Sequence, residues 1–352
     1  MRKATELSPQ HSESTCESSG ISEERLSLVD RQVGVPPVKE DFCKASLSDY
    51  AFGKVLGHGA YGEVRVAREM LTGRMVAVKQ IKVLFDEHRV GIEREISAMK
   101  ELNHPNTCKI FATVHAPRPC FAFRFNGAIM RLFDYVGHPK CKVDLGFFGV
   151  GSVAGFPSAS RRMWRTKQRS RTAASALHYA HSCGIVHRDV KPENLVFVSF
   201  ASTRIKVIDW GLCCPLSETH AVAGSLCYAA PELIMAKVTN GKICRRPAVC
   251  DTWSLGVVIM VMLSGKLPFR GSPQEQLQQM QSWHQRSLRD HAWLAMFPEA
   301  KDLITGMLKI DPWQRPTVGS ILSHPWFKSK VFSRLDLNDK GAIAAEEVSG
   351  GR

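Results

Sequence analysis

The sequence predicts an α+β chain with two lobes, a small β-rich N-terminal one and a larger helical C-terminal one. Two observations predict it. Short β-like runs crowd the stretch from Phe52 to Ile81, whereas helical apolar patterns dominate from Ala173 onward. Strand-rich sequence followed by helix-rich sequence segregates the two structure types rather than alternating them. A 352-residue chain that is 44% hydrophobic can bury a sizeable core, and no internal repeat divides it.

Residues 1–47 are rich in Ser and Glu and poor in apolar positions, so a disordered tail is expected there. Patterning starts near Tyr50. The runs Phe52–Leu56, Glu63–Glu69 and Arg74–Ile81 read as strands, and a helical pattern covers about His88–Leu102. Helices are then expected over Ala173–Cys183, Thr252–Ser264 and Ala300–Leu308, with the patterned region ending near 327 and a tail over 328–352.

The glycine run Gly57-His58-Gly59-Ala60-Tyr61-Gly62-Glu63-Val64 fits G-x-G-x-x-G-x-V. Glycines let a backbone approach phosphates and offer its N–H groups to them, although a plain glycine-rich hairpin has the same look. Seventeen residues after Gly62 stands Lys79, within Val76-Ala77-Val78-Lys79. A lysine in an apolar strand needs its charge paired. Glu95 is the candidate partner and Glu93 the alternative; Ile96 and Met99 mark the buried side of that helix and favour Glu95.

His187-Arg188-Asp189-Val190-Lys191-Pro192-Glu193-Asn194 matches H-R-D-x-K-x-x-N at every specified position. Asp189 is suited to accept or orient the proton of an attacking hydroxyl, Lys191 to neutralise charge on a phosphoryl group, and Asn194 to ligate a metal. Fifteen residues after Asn194 comes Asp209-Trp210-Gly211, at the end of the apolar strand Ile205–Ile208. A carboxylate there suits Mg²⁺, which takes oxygen ligands.

Taken together these motifs resemble the protein kinase superfamily over about residues 50–327. The resemblance implies a bilobed protein kinase fold and an ATP- and Mg²⁺-dependent activity. Within it, Asp189, Lys191, Lys79 and Glu95 are catalytic. Gly57, Gly59, Gly62, Val64, Ala77, Lys79, Asp134, Val136, Asn194 and Asp209 bind nucleotide, and Asn194 and Asp209 hold the metal. Leu132–Val136 is similar to the strand entering the nucleotide hinge, with Phe133 as gatekeeper and Asp134-Tyr135-Val136 as hinge.

Later landmarks agree with the resemblance. Ala230-Pro231-Glu232 looks like A-P-E, whose glutamate pairs with Arg315, and Asp251 matches the aspartate that anchors the catalytic loop. His324-Pro325-Trp326-Phe327 closes the domain as in the calcium/calmodulin-dependent kinase group, with calcium-dependent and metabolic-stress kinases nearest. Lys191 in the catalytic loop and Gly224-Ser225 before A-P-E are similar to Ser/Thr rather than Tyr kinases. Glu193 matches a position that reads a basic residue in protein substrates.

The family's stacked spine maps to Met99, Ile110, His187 and Trp210, with Trp210 standing where the family has Phe. Tryptophan is larger and carries an N–H that wants a partner when buried. Arg188 implies an activation loop ordered by phosphate or an acidic mimic. The usual acceptor position falls at Ala221, with Thr219 and Ser217 as nearby substitutes.

The pattern breaks over 137–172. That stretch has no glutamate and clusters Arg, Ser and Gly where a long amphipathic helix should run. Three readings stay open: an out-of-frame or mispredicted exon, a genuine basic insertion, or a variant that folds normally. The first would strip half of a core helix of its apolar face. It also keeps a second function open, a catalytically impaired kinase-like scaffold or a truncated, misframed product.

The net charge is +14, but residues 115–176 alone carry eleven Lys/Arg against two acidic residues. Such a local excess, not spread over regular elements with aromatics between, argues against nucleic acid. Apolar runs are too short to span a bilayer, Met1-Arg2-Lys3 opens no secretory signal, and Arg2 excludes myristoylation, so no membrane partner is expected. Eleven scattered cysteines without a C-x-x-C pair read as reduced thiols, hence a cytoplasmic or nuclear chain, with Cys213-Cys214 a candidate redox sensor. Asp336–Glu347 resembles a degenerate EF-hand loop in which Lys340 takes a ligand position, so Ca²⁺ binding is not expected.

Overall fold

Alternation along Met75–Ile81 sets up the N-terminal lobe. Val76 and Val78 face one way, Ala77 and Lys79 the other, and all four are buried. The structure, a computed structural model, describes residues 43–44, 46–59, 62–81, 86–114, 120–124, 158–197, 203–217, 224–239 and 246–328.

Six strands form the N-lobe sheet: β1 (Cys43–Lys44), β2 (Tyr50–Gly59), β3 (Gly62–Glu69), β4 (Met75–Ile81), β5 (Lys109–Val114) and β6 (Cys120–Arg124), in the order β1-β5-β6-β4-β3-β2. Tyr50, Ala67, Val76, Val78 and Ala112 make a small cluster on one face. Ala77 and Ile81 join the main core with Ile92, Ala98 and Met99 of helix α1 (Asp86–Glu101).

Order begins earlier than the expected tail over 1–47 allows. β1 pairs in parallel with β5, and the Asp49 carboxylate accepts the Ser46 N–H at 2.7 Å to cap a single turn, Leu47–Asp49. Two strand residues and one turn carry too few apolar positions to register as a pattern.

The C-lobe holds α2 (Ser158–Ser182), the short strands β7 (Ile185–Val186), β8 (Leu195–Phe197), β9 (Ile205–Val207) and β10 (Cys214–Pro215), then α3 (Pro231–Thr239) and α4 (Val249–Ser264). After them come α5 (Pro273–Gln281), α6 (Trp283–Ser287), α7 (His291–Leu294), α8 (Pro298–Met307), α9 (Val318–Ile321) and α10 (Pro325–Lys328). Every residue of α4 is buried, so it forms the axis on which α2, α7, α8 and α9 pack. Among the described residues no helix is long and apolar enough to cross a membrane.

The largest departure from the sequence pattern is α2. Helix was expected from Ala173, yet it starts at Ser158 and runs unbroken through the basic stretch. Met163, Trp164, Thr166, Lys167, Arg169 and Ser170 are buried in it. Residues 158–172 therefore build the helix that the broken pattern argued against, while 137–157 lie outside the described residues.

Candidate active site

Lys79 is carried inward by the buried middle of β4. Its Nζ lies 2.7 Å from both carboxylate oxygens of Glu95 on α1 and 3.5 Å from Asp209 Oδ1. Glu95 is buried and Glu93 is exposed, because Ile92, Ile96 and Met99 turn their side of α1 to the core. Burial pulls the Lys79 ammonium down, and the Glu95 and Asp209 carboxylates more than offset this, so its pKa stands above the ordinary lysine value. Burial pushes Asp209 up, but Lys79, His187, Lys191 and the Gly211 N–H hold it below the usual carboxylate range. Asp209 thus keeps an anionic carboxylate that is partly exposed.

The 187–194 loop is built on Asp251, buried at the start of α4. Its carboxylate accepts the backbone N–H groups of His187 (2.9 Å) and Arg188 (2.8 Å) and meets His181 Nε2 at 2.8 Å. Burial would raise the Asp251 pKa, and the His181 and His187 contacts bring it below its ordinary value. The loop turns sharply: Arg188 sits at φ 65°, a region that L-residues enter only where surroundings hold them. His181 was not singled out in the sequence, since nothing local to it marks a partner seventy residues away.

Asp189 gathers the working groups. Lys191 Nζ donates to Asp189 Oδ2 at 2.6 Å and to Ser225 Oγ at 2.8 Å, and the Ser225 N–H donates to Asp189 Oδ1 at 2.9 Å. Asn194 Nδ2 donates to the Asp189 carbonyl at 2.9 Å and to its Oδ2 at 3.1 Å. The asparagine's nitrogen is thereby committed, and its oxygen end is the one a cation would meet. Gly224 allows this approach: at φ 105° a Cβ there would stand 2.5 Å from the Arg188 carbonyl oxygen.

Met99, Ile110, His187 and Trp210 are all essentially inaccessible, and the His187 and Trp210 rings lie 4.6 Å apart. Asp209 takes φ 62°, which turns the Asp-Trp-Gly segment. The expected complication of tryptophan is present: its buried Nε1 has no hydrogen-bond partner among the described residues.

Glu232 and Arg315 form a two-point ion pair at 2.7 and 3.0 Å, with Arg315 buried against the Trp253 ring at 5.1 Å. Glu193 lies beside Tyr228, and burial followed by that carboxylate pushes the phenol up.

Of the glycine run, Gly57 and Gly59 pair across the hairpin with Val64 and Gly62. Gly62 has a packing reason of its own, since a Cβ would come within 1.9 Å of the Gln80 carbonyl oxygen. Val64 is half-buried against the main core and Ala77 fully buried in it. Asp134 and Val136, with Phe133 and Tyr135, lie outside the described residues, as do Thr219, Ala221 and the 336–347 loop. Ser217 is exposed. Cys213 and Cys214 are buried, and burial first, then Cys214, pushes the Cys213 thiol up to about 12, unlike a reactive thiolate.

A lysine–glutamate pair in a β-sheet lobe faces an aspartate–lysine–asparagine loop and a second aspartate on a helical lobe; this is the architecture of a kinase-type catalytic domain. The family model described as the protein kinase domain matches residues 50–327. The chain belongs to the protein kinase domain family. It is 32% identical over 298 residues to a protein of Dictyostelium discoideum described as "Probable serine/threonine-protein kinase MARK-A", covering 81% of this chain and 25% of that protein. It is 30% identical over 312 residues to serine/threonine-protein kinase RAD53 of Saccharomyces cerevisiae, covering 84% and 35%. An Aurora kinase of Dictyostelium discoideum is 29% identical over 296 residues, covering 82% and 68%. The chain thus spans well under two thirds of the length of the first two of these relatives.

Proposed function

We propose that the chain is a protein serine/threonine kinase that uses ATP and Mg²⁺ to phosphorylate Ser or Thr hydroxyls of protein substrates. The observation that carries this is the contact set of Asp189, which holds Lys191, Ser225 and Asn194 together, with Lys191 close enough to act on the charge of Asp209, itself 3.5 Å from Lys79.

The donor set fits the nucleotide and its ion. Mg²⁺ is typically bound through one or two protein oxygens plus phosphates and water, and Asp209 and Asn194 supply a carboxylate and an amide oxygen. Among the described residues there is no cluster of three His, Cys, Asp or Glu that would make an all-protein cage. Bound Mg²⁺–ATP supplies the phosphoryl group and neutralises part of its charge. Lys79, oriented by Glu95, holds phosphate oxygens. Asp189 orients the acceptor hydroxyl and takes its proton at a carboxylate oxygen, and Lys191 balances the charge that gathers beside it.

Glu193, half-buried one residue before Asn194, matches the position that reads a basic residue, which supports a preference for basic residues near the acceptor. The resemblance of the His324-Pro325-Trp326-Phe327 segment supports placement in the calcium/calmodulin-dependent group. The free, unbridged thiols of Cys108, Cys213, Cys214 and Cys250 among the described residues support a reducing cytoplasm or nucleus.

Transfer of labelled γ-phosphate to a basic Ser-containing peptide tests the reading. Asp189→Asn should lower the rate at least about a hundred-fold, the lower end of what a positioned base contributes. Transfer unaffected by that substitution would overturn it.

A further inference from the structure

Glu95 and Asp209 reach Lys79 from different parts of the chain. Glu95 rides on α1, which continues through Leu102 into the linker 103–108 and then β5. Asp209 stands two residues beyond β9. Besides the direct packing of α1 on the segment after Asp209, the two are tied by a zipper between that linker and β9. The Val207 N–H donates to the Asn106 carbonyl at 2.8 Å, the Cys108 N–H to the Val207 carbonyl at 3.4 Å, and Asn106 Nδ2 to the Ile205 carbonyl at 2.9 Å.

Lys206 completes the zipper from the other side. Ile205 and Val207 point into the core, so the residue between them points away from it. Its Nζ donates to the Pro105 carbonyl at 3.1 Å and to the Thr107 carbonyl at 3.0 Å. The two bonds straddle Asn106, whose carbonyl is already taken by Val207, so three successive linker carbonyls are bound by β9. Bonds from an ammonium are stronger than those between neutral groups.

We propose that Lys206 is a positioning residue for phosphoryl transfer: as a staple between β9 and the 105–107 linker, it sets the spacing of Asp209 and Glu95 and hence where Lys79 sits. The inference rests on the kinase reading. Lys79 meets Glu95 at 2.7 Å and Asp209 at 3.5 Å, so a slip of about 1 Å between the two segments breaks one contact and costs rate steeply. The apolar residues of β9 stay in the core without the staple, so its loss acts on alignment before it acts on folding.

The test compares wild type with Lys206→Met and Lys206→Arg in the full chain. Two readouts are taken: steady-state peptide phosphorylation, and hydrogen exchange of the α1 amides 92–99 without nucleotide. In Lys206→Met, kcat should fall about ten-fold, peptide KM should stay within about two-fold, and α1 exchange should quicken. Lys206→Arg, whose fork still reaches two carbonyls, should recover both. A fall in kcat without faster exchange, faster exchange without a fall in kcat, or no recovery by arginine overturns the proposal. If Lys206→Met melts below the assay temperature, Lys206→Gln, polar but uncharged, carries the same expectation. If the wild type transfers no phosphate, the kinase reading fails by itself, and unchanged α1 exchange then separately overturns the staple.

Discussion

The two halves of α2 present one continuous buried face with contrasting chemistry. In the second half that face is Ala173, Ala174, Leu177 and Ala180, all at 0% exposure. In the first half it is Met163, Thr166, Lys167 and Ser170, still no more than 6% exposed. Both halves follow helical spacing, and α2 packs on α4, β9, α9 and α10. The neighbours, not the hydrophobicity of the residues, impose the burial. The polar residues meet it in part locally: Ser170 Oγ donates to the Thr166 carbonyl at 2.6 Å, and the Arg169 guanidinium lies 4.6 Å from the centre of the Phe197 ring.

The contrast sharpens if the second half carries the stability. Leu177→Ala should cost about 2–5 kcal/mol in urea unfolding, the usual range for an emptied core leucine site. A loss no larger than that of a polar neighbour in the first half would erase the distinction.

A smaller effect is expected at Lys167, whose pKa burial lowers, with Arg171 adding to the shift and Glu299 opposing it. Between that lowered pKa and the ordinary 10.5, the unfolded chain binds a proton that the folded chain lacks. Stability therefore rises with pH through this window and is lost as pH falls back through the folded pKa. Urea midpoints followed from neutral pH towards 10.5 should climb less in Lys167→Met than in wild type; parallel curves would mean that Lys167 titrates as if in water.

The smallest effect is expected for Ser170→Ala, within about 1 kcal/mol either way, because the hydroxyl's partner is the helix's own backbone. A larger loss would show that the polar face holds the helix in place.

Much of the candidate site was legible because its residues lie in short motifs. The Asp189, Lys191 and Asn194 spacing is a loop geometry written in eight consecutive residues. The choice of Glu95 over Glu93 followed from Ile96 and Met99, which fix the inward side of α1. What was not legible lies between distant segments. Lys206 has no motif around it, and its two carbonyl partners lie 101 and 99 residues away. The 1.9 Å clash awaiting a side chain at Gly62 comes from the neighbouring strand, not from the glycine run. β1 was missed because a two-residue strand has no periodicity to read.

By itself the sequence determined the lobe order, the 187–194 motif and the lysine–glutamate residues, and the helices α4 and α8. These depend on local spacing and on apolar residues recurring at the helix or strand period. Only the tertiary structure decided that α2 begins at Ser158, that Lys167 is buried, and that Lys206 binds the linker. Those outcomes depend on what the rest of the chain packs against each residue, which no local window contains.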